Sequence, residues 1–310
     1  MNSTLNPPVP VVICTYTRLA HLRQTIDALL NNALAGITPV FVFSDAASAG
    51  DEEAVGQLRA YLSGVSGFGR LTVVARERNL GMVGNCIGGL EEVLAGYGRA
   101  IFMEDDIVTA PGFLTYMNQA MNLYQSDARI FSVSGYCPPL RMPGGYGHDA
   151  FLLRRFNAWG CGIWQDRHVT VREVTTQDYD KLEADRKSVR DFAAGGGRDM
   201  LAMLKQVADG RLEAYDVQCM YTQFRRDQYS VYPVESLVKN IGLDGSGVHS
   251  PVTRRFDVEL SQKMQFCLPE RLLVDEKLVR LHRQFRNGGS LPGRIAGKLQ
   301  GMLKLRLTRS

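Results

Sequence analysis

The chain has 310 residues, 45% of them hydrophobic and 22% charged, with 36 Lys/Arg against 32 Asp/Glu. That is enough material for a large buried core, and no apolar run approaches the ~20 residues that would span a bilayer. The charge is uneven: residues 277–310 carry nine Lys/Arg and no Asp/Glu, leaving 27 basic against 32 acidic residues in the body, which excludes a general nucleic-acid binder with a basic folded surface.

The N-terminus lacks a charged region ahead of its short apolar run, so no signal peptide is expected. The apolar, β-branched run "VPVVICTY" (9–16) predicts a strand. Apolar residues at Leu19, Leu22, Ile26, Leu29 and Leu30 then follow the helical period over 19–34. Strands are expected at 39–45, 70–79, 99–106 and 130–136. Helices are expected at 51–65, 81–97 and 111–127, the first with an acidic opening turn and the last with Pro111 at its start. This β-α-β-α order calls for an α/β fold: a mostly parallel central sheet with helices on both faces.

The second half is less regular. Residues 138–167 are rich in Gly, Pro and aromatics, as binding loops often are, and 180–196 and 198–227 read as helical. A short extended segment and a Gly-rich loop occupy 228–250. The six cysteines form no C-x-x-C pair and show no zinc-like clustering with His, so free thiols in a reducing, cytoplasmic setting are expected.

In an open α/β sheet, ligands bind beyond the carboxyl ends of the strands. Tyr16-Thr17-Arg18, Asp45, Arg78-Asn79 and Glu104-Asp105-Asp106 all fall at such ends. The acidic triplet in "AIFMEDDIVTAPGF" (100–113) needs a reason, because adjacent carboxylates repel and are costly beside a core. Three uses present themselves: binding a hard cation such as Mg²⁺ or Mn²⁺, acid–base catalysis, or a solvated turn with Asp106 at a helix start. If the strand continued through the triplet, Glu104 and Asp106 would share a face and Asp105 would take the other.

The motifs "VVICTYTRLAHLRQTIDALL", "VFVFSDA", "RNLGMVGNCIGGLEEVL", "IFMEDDIVTAPGFLTYMNQA", "NAWGCGIWQDR", "YDVQC" and "SLVKNIGLDGSGVHS" occur in that order between about Val9 and Ser250. This succession resembles nucleotide-sugar glycosyltransferases of the GT-A fold, with the nearest likeness to bacterial family 2-like enzymes and the N-acetylglucosaminyltransferase I group. The resemblance implies a division into a nucleotide-sugar-binding half (1–136), an acceptor-binding and catalytic half (137–276) and a basic tail (277–310).

It also implies roles. The triplet would be a D-x-D-like motif in which Asp106 ligates Mn²⁺ or Mg²⁺, with Glu104 and Asp105 contacting ribose, sugar or metal-bound water. Thr15, Tyr16 and Arg18 would meet the donor, Arg18 at its diphosphate. Asp45 would bond the uracil ring of a UDP-sugar, and Arg78 and Asn79 would line the nucleotide pocket. Relatives often carry Lys where this chain has Leu80. His249 would close over metal or phosphate. Asp216 would be the general base of an inverting transfer, with Asp166 as fallback, and Trp159 and Trp164 would offer flat faces to a sugar. The acceptor would be a glycan or lipid-linked glycan in bacterial surface polysaccharide (lipopolysaccharide) synthesis. Read from the residues alone, two other classes stay open: a nucleotidyltransferase and a non-catalytic carbohydrate-binding protein.

The tail places Leu291, Ile295, Leu299, Met302 and Leu303 on one helical stripe, with Arg294, Lys298, Arg306 and Arg309 largely off it. Such a basic amphipathic helix suits an anionic membrane surface, so a peripheral location on the inner face of the cell membrane is expected.

Overall fold

The computed structural model describes residues 7–246 and 252–288. His249 and the stripe at 291–303 lie outside the described residues. The first half runs β1 (Val11–Thr15), α1 (Leu19–Leu30), β2 (Pro39–Ser44), α2 (Glu52–Ser63), β3 (Arg70–Ala75), α3 (Gly81–Tyr97), β4 (Arg99–Glu104), β5 (Ile107–Thr109), α4 (Phe113–Tyr124) and β6 (Ile130–Ser134). The second runs β7 (Ala150–Leu153), β8 (Cys161–Trp164), α5 (Gln165–His168), α6 (Thr176–Ala184), α7 (Arg186–Gly196), α8 (Arg198–Ala208), α9 (Tyr215–Arg225), β9 (Tyr229–Pro233), β10 (Val238–Asn240) and α10 (Glu276–Arg286).

Eight strands form one sheet in the order β3-β2-β1-β4-β8-β6-β9-β7. The β3-β2-β1-β4 half is parallel throughout; β8 enters antiparallel between β4 and β6, and β6 and β9 are again parallel. Both faces are covered, as a parallel sheet requires. The two-residue period of the strands divides the core. Val11, Ile13, Ile101 and Met103 pack toward α1, α2 and α4, whereas Val12, Cys14, Ala100 and Phe102 pack toward α3 and α6–α9.

The glycines of α3 serve this packing. A Cβ at Gly89 would lie 2.7 Å from the Phe43 ring, so the helix approaches β2 as closely as it does because no side chain intervenes. Buried Asn85 donates to the Phe43 carbonyl at 3.0 Å and locks the contact.

Three expectations change. The chain does not pass from the acidic triplet toward a helix: it turns at Asp105-Asp106 and continues as β5, which pairs antiparallel with β10. The stretch 180–196 breaks at Asp185, whose carboxylate caps α7 by accepting from the amides of Lys187 and Ser188. The stretch 198–227 breaks between α8 and α9, where Gly210 adopts a left-handed φ of 69°. Residues 252–275 form a long irregular strap whose Phe256, Val258, Leu260 and Phe266 pack on the α4 side of the core. The strap ends in α10, which docks on the far sheet edge through Leu278 against Phe151, Leu153 and Tyr232. The first part of the basic segment is therefore a packed helix of the body. Four cysteines are buried, Cys86 is partly exposed and Cys267 exposed, all as free thiols.

The glycine geometry can be tested by melting. Gly56, inside α2 with open space around it, should gain up to about 1 kcal/mol on Gly56→Ala from helix propensity. Gly89→Ala should lose about 1–3 kcal/mol by overpacking against Phe43. Equal melting temperatures for the two variants would refute the close α3–β2 contact.

Candidate active site

Parallel register brings the ends of three strands to one rim: Thr15 lies beside Ser44, and Cys14 beside Glu104. The turn at Asp105-Asp106 therefore projects from the middle of the sheet. It is tied from three directions. The Thr15 hydroxyl donates to Asp105 Oδ2 at 2.9 Å, and the Thr25 hydroxyl to the Asp105 carbonyl at 2.8 Å. Arg18 Nη2 reaches Asp105 Oδ1 at 2.5 Å and Asp106 Oδ2 at 2.9 Å. Because the chain turns after Glu104, the expected alternation of faces ends there and both aspartates meet the same guanidinium.

From the other side, the segment after β10 clamps Asp106. The Ile241 amide donates to the Asp106 carbonyl at 2.9 Å, and Asn240 Nδ2 stands 3.5 Å from Asp106 Oδ1. A Cβ on Gly242 would fall 2.0 Å from Asp106 Oδ2 and 2.8 Å from Arg18 Nη1. Only glycine fits over the ion pair. His21 and Asp244, 3.1 Å apart, join the same loop to the start of α1.

The cluster holds more negative charge than Arg18 balances. Burial, then the charges of Asp106, Asp105 and Asp216, push the Glu104 carboxyl up to about 8. Burial also raises Asp105, although Arg18 opposes it. For Arg18, the two carboxylates outweigh burial and the pKa rises. Asp216, in the first turn of α9, is raised because burial outweighs Arg155, its local amides and Arg286. Asp216 is thus close enough to act on Glu104 and to be acted on by two arginines. Its helix start is held by Tyr215, whose hydroxyl lies 2.7 Å from His168 Nδ1, while His168 Nε2 lies 3.2 Å from Glu91.

The remaining candidates divide. Tyr16 donates to Asp51 at 2.5 Å and accepts from the Ser48 amide at 2.8 Å, closing the loop after β2. Asp45 is buried, and its Oδ1 accepts from the amides of Ala46 and Leu80 at 2.9 Å, linking the end of β2 to the start of α3. Asn79 donates to the Ala46 carbonyl at 2.6 Å and frames the same loop. Arg78 is exposed beside it. Trp159 is half-buried, edge-on to Tyr136 at 4.8 Å and Phe256 at 6.0 Å.

Trp164 and Asp166 are not brought to the site. Trp164 pairs with Arg99 at the start of β4, five residues or roughly 16 Å from Glu104. It is 4% exposed and lies under the Arg167 guanidinium at 4.8 Å. Asp166 is spent on Arg167 at 2.5 Å. The antiparallel entry of β8, invisible in the local pattern, carries both to the opposite edge. A cavity of about 420 Å³ near Tyr146, His148 and the start of α10 contains none of the carboxylates and lies apart from this site.

Among the described residues, no group of three His, Cys, Asp or Glu side chains is already arranged to hold a metal ion. The donor set nevertheless fits a hard divalent cation: all the clustered groups offer carboxylate oxygens, and among the described residues Glu104 forms no ion pair.

Residues 11–139, from β1 to just beyond β6, match the family described as Glycosyl transferase family 2. Among solved structures, the chain is similar to a mannosyltransferase of Pyrobaculum calidifontis in complex with GDP-Man and Mn²⁺, with 12% identity, 72% of this chain and 70% of that one covered, and a TM-score of 0.42. It is similar to residues 1–349 of TarS from S. aureus, with 10% identity, 66% and 70% covered, and a TM-score of 0.39. It is also similar to the galactosyltransferase LgtC in complex with donor and acceptor sugar analogs, with 12% identity, 70% of each chain covered, and a TM-score of 0.35. No curated protein matches the sequence.

Thr25, Asn240 and Gly242 complete the acidic site without any sequence signal for the first two; Gly242 was legible only as a flexible loop residue. If Arg18 is the only cation that the cluster owns, Arg18→Ala should lower the melting temperature in EDTA. Mn²⁺ should then raise the melting temperature of the variant more than that of the wild type. Equal shifts would show that Arg18 and a divalent ion do not answer the same charge.

Proposed function

We propose that this protein is a metal-dependent, inverting glycosyltransferase, and that it moves a sugar from a UDP-sugar to a hydroxyl of a glycan or lipid-linked glycan in surface polysaccharide synthesis. The observation that carries this reading is the acidic turn at the sheet rim, where Asp105 and Asp106 are gathered on Arg18 beside Glu104. That group of carboxylates is suited to a cation and a diphosphate, and Asp216, at the start of α9, lies within electrostatic reach of Glu104.

Asp106, with Glu104 and Asp105 beside it, would hold Mn²⁺ or Mg²⁺, which supplies Lewis-acid stabilisation of the charge on the departing diphosphate. The loop closed by Tyr16, Asp45 and Asn79 receives the nucleotide, and the Oδ2 of Asp45 faces the base. Arg18 exchanges its carboxylates for phosphate oxygens when donor binds. Trp159 stacks on the acceptor. Asp216 takes the proton of the acceptor hydroxyl; the oxygen bonds to the anomeric carbon as the bond from that carbon to the diphosphate breaks, and UDP leaves. The raised pKa of Asp216 makes it a stronger base than an ordinary carboxylate. His249, outside the described residues, is assigned to the metal or phosphate side.

A panel of nucleotide sugars with Mn²⁺ tests this. UDP-sugars should bind and turn over. Asp106→Ala should abolish the metal dependence of UDP binding. Asp216→Asn should lower kcat by at least about 10²-fold with donor affinity preserved. UDP binding indifferent to both Mn²⁺ and Asp106 would remove the metal assignment, and unchanged transfer by Asp216→Asn would remove the base.

No helix among the described residues is long and apolar enough to cross a membrane. We propose that residues 291–310 lie on an anionic bilayer surface and bring the site to lipid-linked acceptors. Deleting 291–310 should abolish co-sedimentation with vesicles containing phosphatidylglycerol; retained binding would end this assignment.

A further inference from the structure

A second charged centre lies beside Asp216, and the reaction above leaves it without a task. Arg155 follows β7 and is buried. Its guanidinium donates to the Gly196 carbonyl and pairs with Asp199 at 3.0 Å. Arg286, the last residue of α10, reaches the same place. A Cβ on Gly197 would lie 3.1 Å from Arg286 Cβ and 3.3 Å from Arg155 Nη1, so both arginines abut the α7–α8 junction. The φ of Gly197 is 100°, a conformation that suits glycine there.

Arg286 has no carboxylate of its own. Its Nε stands 3.4 Å from Nε2 of buried His282, and its guanidinium lies over the rings of Phe256 at 5.3 Å and Phe285 at 5.7 Å. Every Asp and Glu of the chain falls within the described residues, and none of them forms an ion pair with Arg286 among those residues. Among the described residues, Asp199 thus pairs with Arg155 alone, and the neighbouring Arg286 has no carboxylate in an ion pair with it. Burial and the Arg155 charge push Arg286 down to about 10, and burial together with both arginines lowers His282. A forked pair of guanidinium groups short of negative charge matches a planar or tetrahedral oxyanion.

Position selects the ligand. Both arginines act on Asp216, the base of the proposed transfer. The rings of Trp159, Phe256 and Phe285 form a continuous wall from the sugar-stacking face to Arg286. We propose that Arg155 and Arg286 form a subsite for an oxyanion carried by the acceptor, a phosphate or a carboxylate on the sugar next to the attacking hydroxyl. The acceptor is then an anionic glycan. The assignment to the acceptor rests on the reading of Asp216 as base.

Calorimetry on the full chain tests this with glucose 6-phosphate, glucuronate and neutral glucose, each titrated with and without UDP and Mg²⁺. The anionic sugars should bind at least tenfold tighter than glucose, and the tighter of the two identifies the anion. Arg286→Gln should erase that preference, and Arg286→Lys should restore part of it. Melting temperature and UDP affinity report whether the variants are folded. Equal binding of charged and neutral sugars, or an anion preference untouched by Arg286→Gln, would overturn the subsite. Anion binding that depends on Arg286 but is displaced by UDP would overturn its assignment to the acceptor and give it to the donor. Failure of UDP to bind would count against the donor reading alone, since the titrations without nucleotide still read the arginines.

Discussion

The ion pair between Arg18 and the turn at Asp105-Asp106 is the constraint around which the rim is built. Two adjacent carboxylates at the end of a buried strand would repel each other and lose hydration. One guanidinium, reached from the residue just before α1, answers both. Thr15 and Thr25 fix the aspartate that Arg18 holds most closely, so strand β1, helix α1 and the turn after β4 are bonded into one unit. Hydrogen bonds to a charged group contribute about 1.5–3 kcal/mol each, so the unit is rigid before any ligand arrives. Glu104 is left outside this arrangement, and burial first, then the neighbouring carboxylates, push it up to about 8.

The same constraint explains the small second sheet. After the acidic turn the chain has to leave the rim, and β5 does so by pairing with β10. That pairing delivers Asn240, Ile241 and Gly242 onto Asp106. A side chain at 242 would collide with the carboxylate, so the loop can lie directly on the ion pair only as glycine. The acids therefore have a floor made by the parallel half of the sheet and a cover made by the C-terminal half, although the two are more than a hundred residues apart in sequence.

The first half was legible because its physics is local. The unbroken apolar run Val11–Cys14 reports a strand buried on both faces, the helical spacing of Leu22, Ile26 and Leu29 reports one helix face, and parallel order follows from strand–helix alternation. The acids at 104–106 could be placed at a strand end, and hence at the rim, for the same reason. What could not be read is pairing at long range. Trp164 and Asp166 sit in a motif that looks like one side of a site, yet the antiparallel insertion of β8 beside β4 sends them to the opposite edge. Arg18 carries a charge suited to phosphate, and nothing local reveals that its partners without ligand are Asp105 and Asp106. Asp185 and Gly210 break stretches that composition alone would continue as helix. Arg155 and Arg286 are separated by 131 positions and meet only because the strap at 252–275 returns α10 to the α7–α8 junction.

Charge is unevenly shared among the groups near Asp216. The acidic turn carries three carboxyl groups and one arginine, a set that suits a cation. The α7–α8 junction carries two arginines and one ion-paired carboxylate, an excess of positive charge. Asp216 lies within electrostatic reach of Glu104 and of both arginines, at a helix start that Glu91, His168 and Tyr215 fix in place. Burial raises its carboxyl, and the arginines, which favour the ionised form, do not overcome that. An anion bound at Arg155 and Arg286 would remove part of their pull, so a ligand there would hold the Asp216 carboxyl higher still.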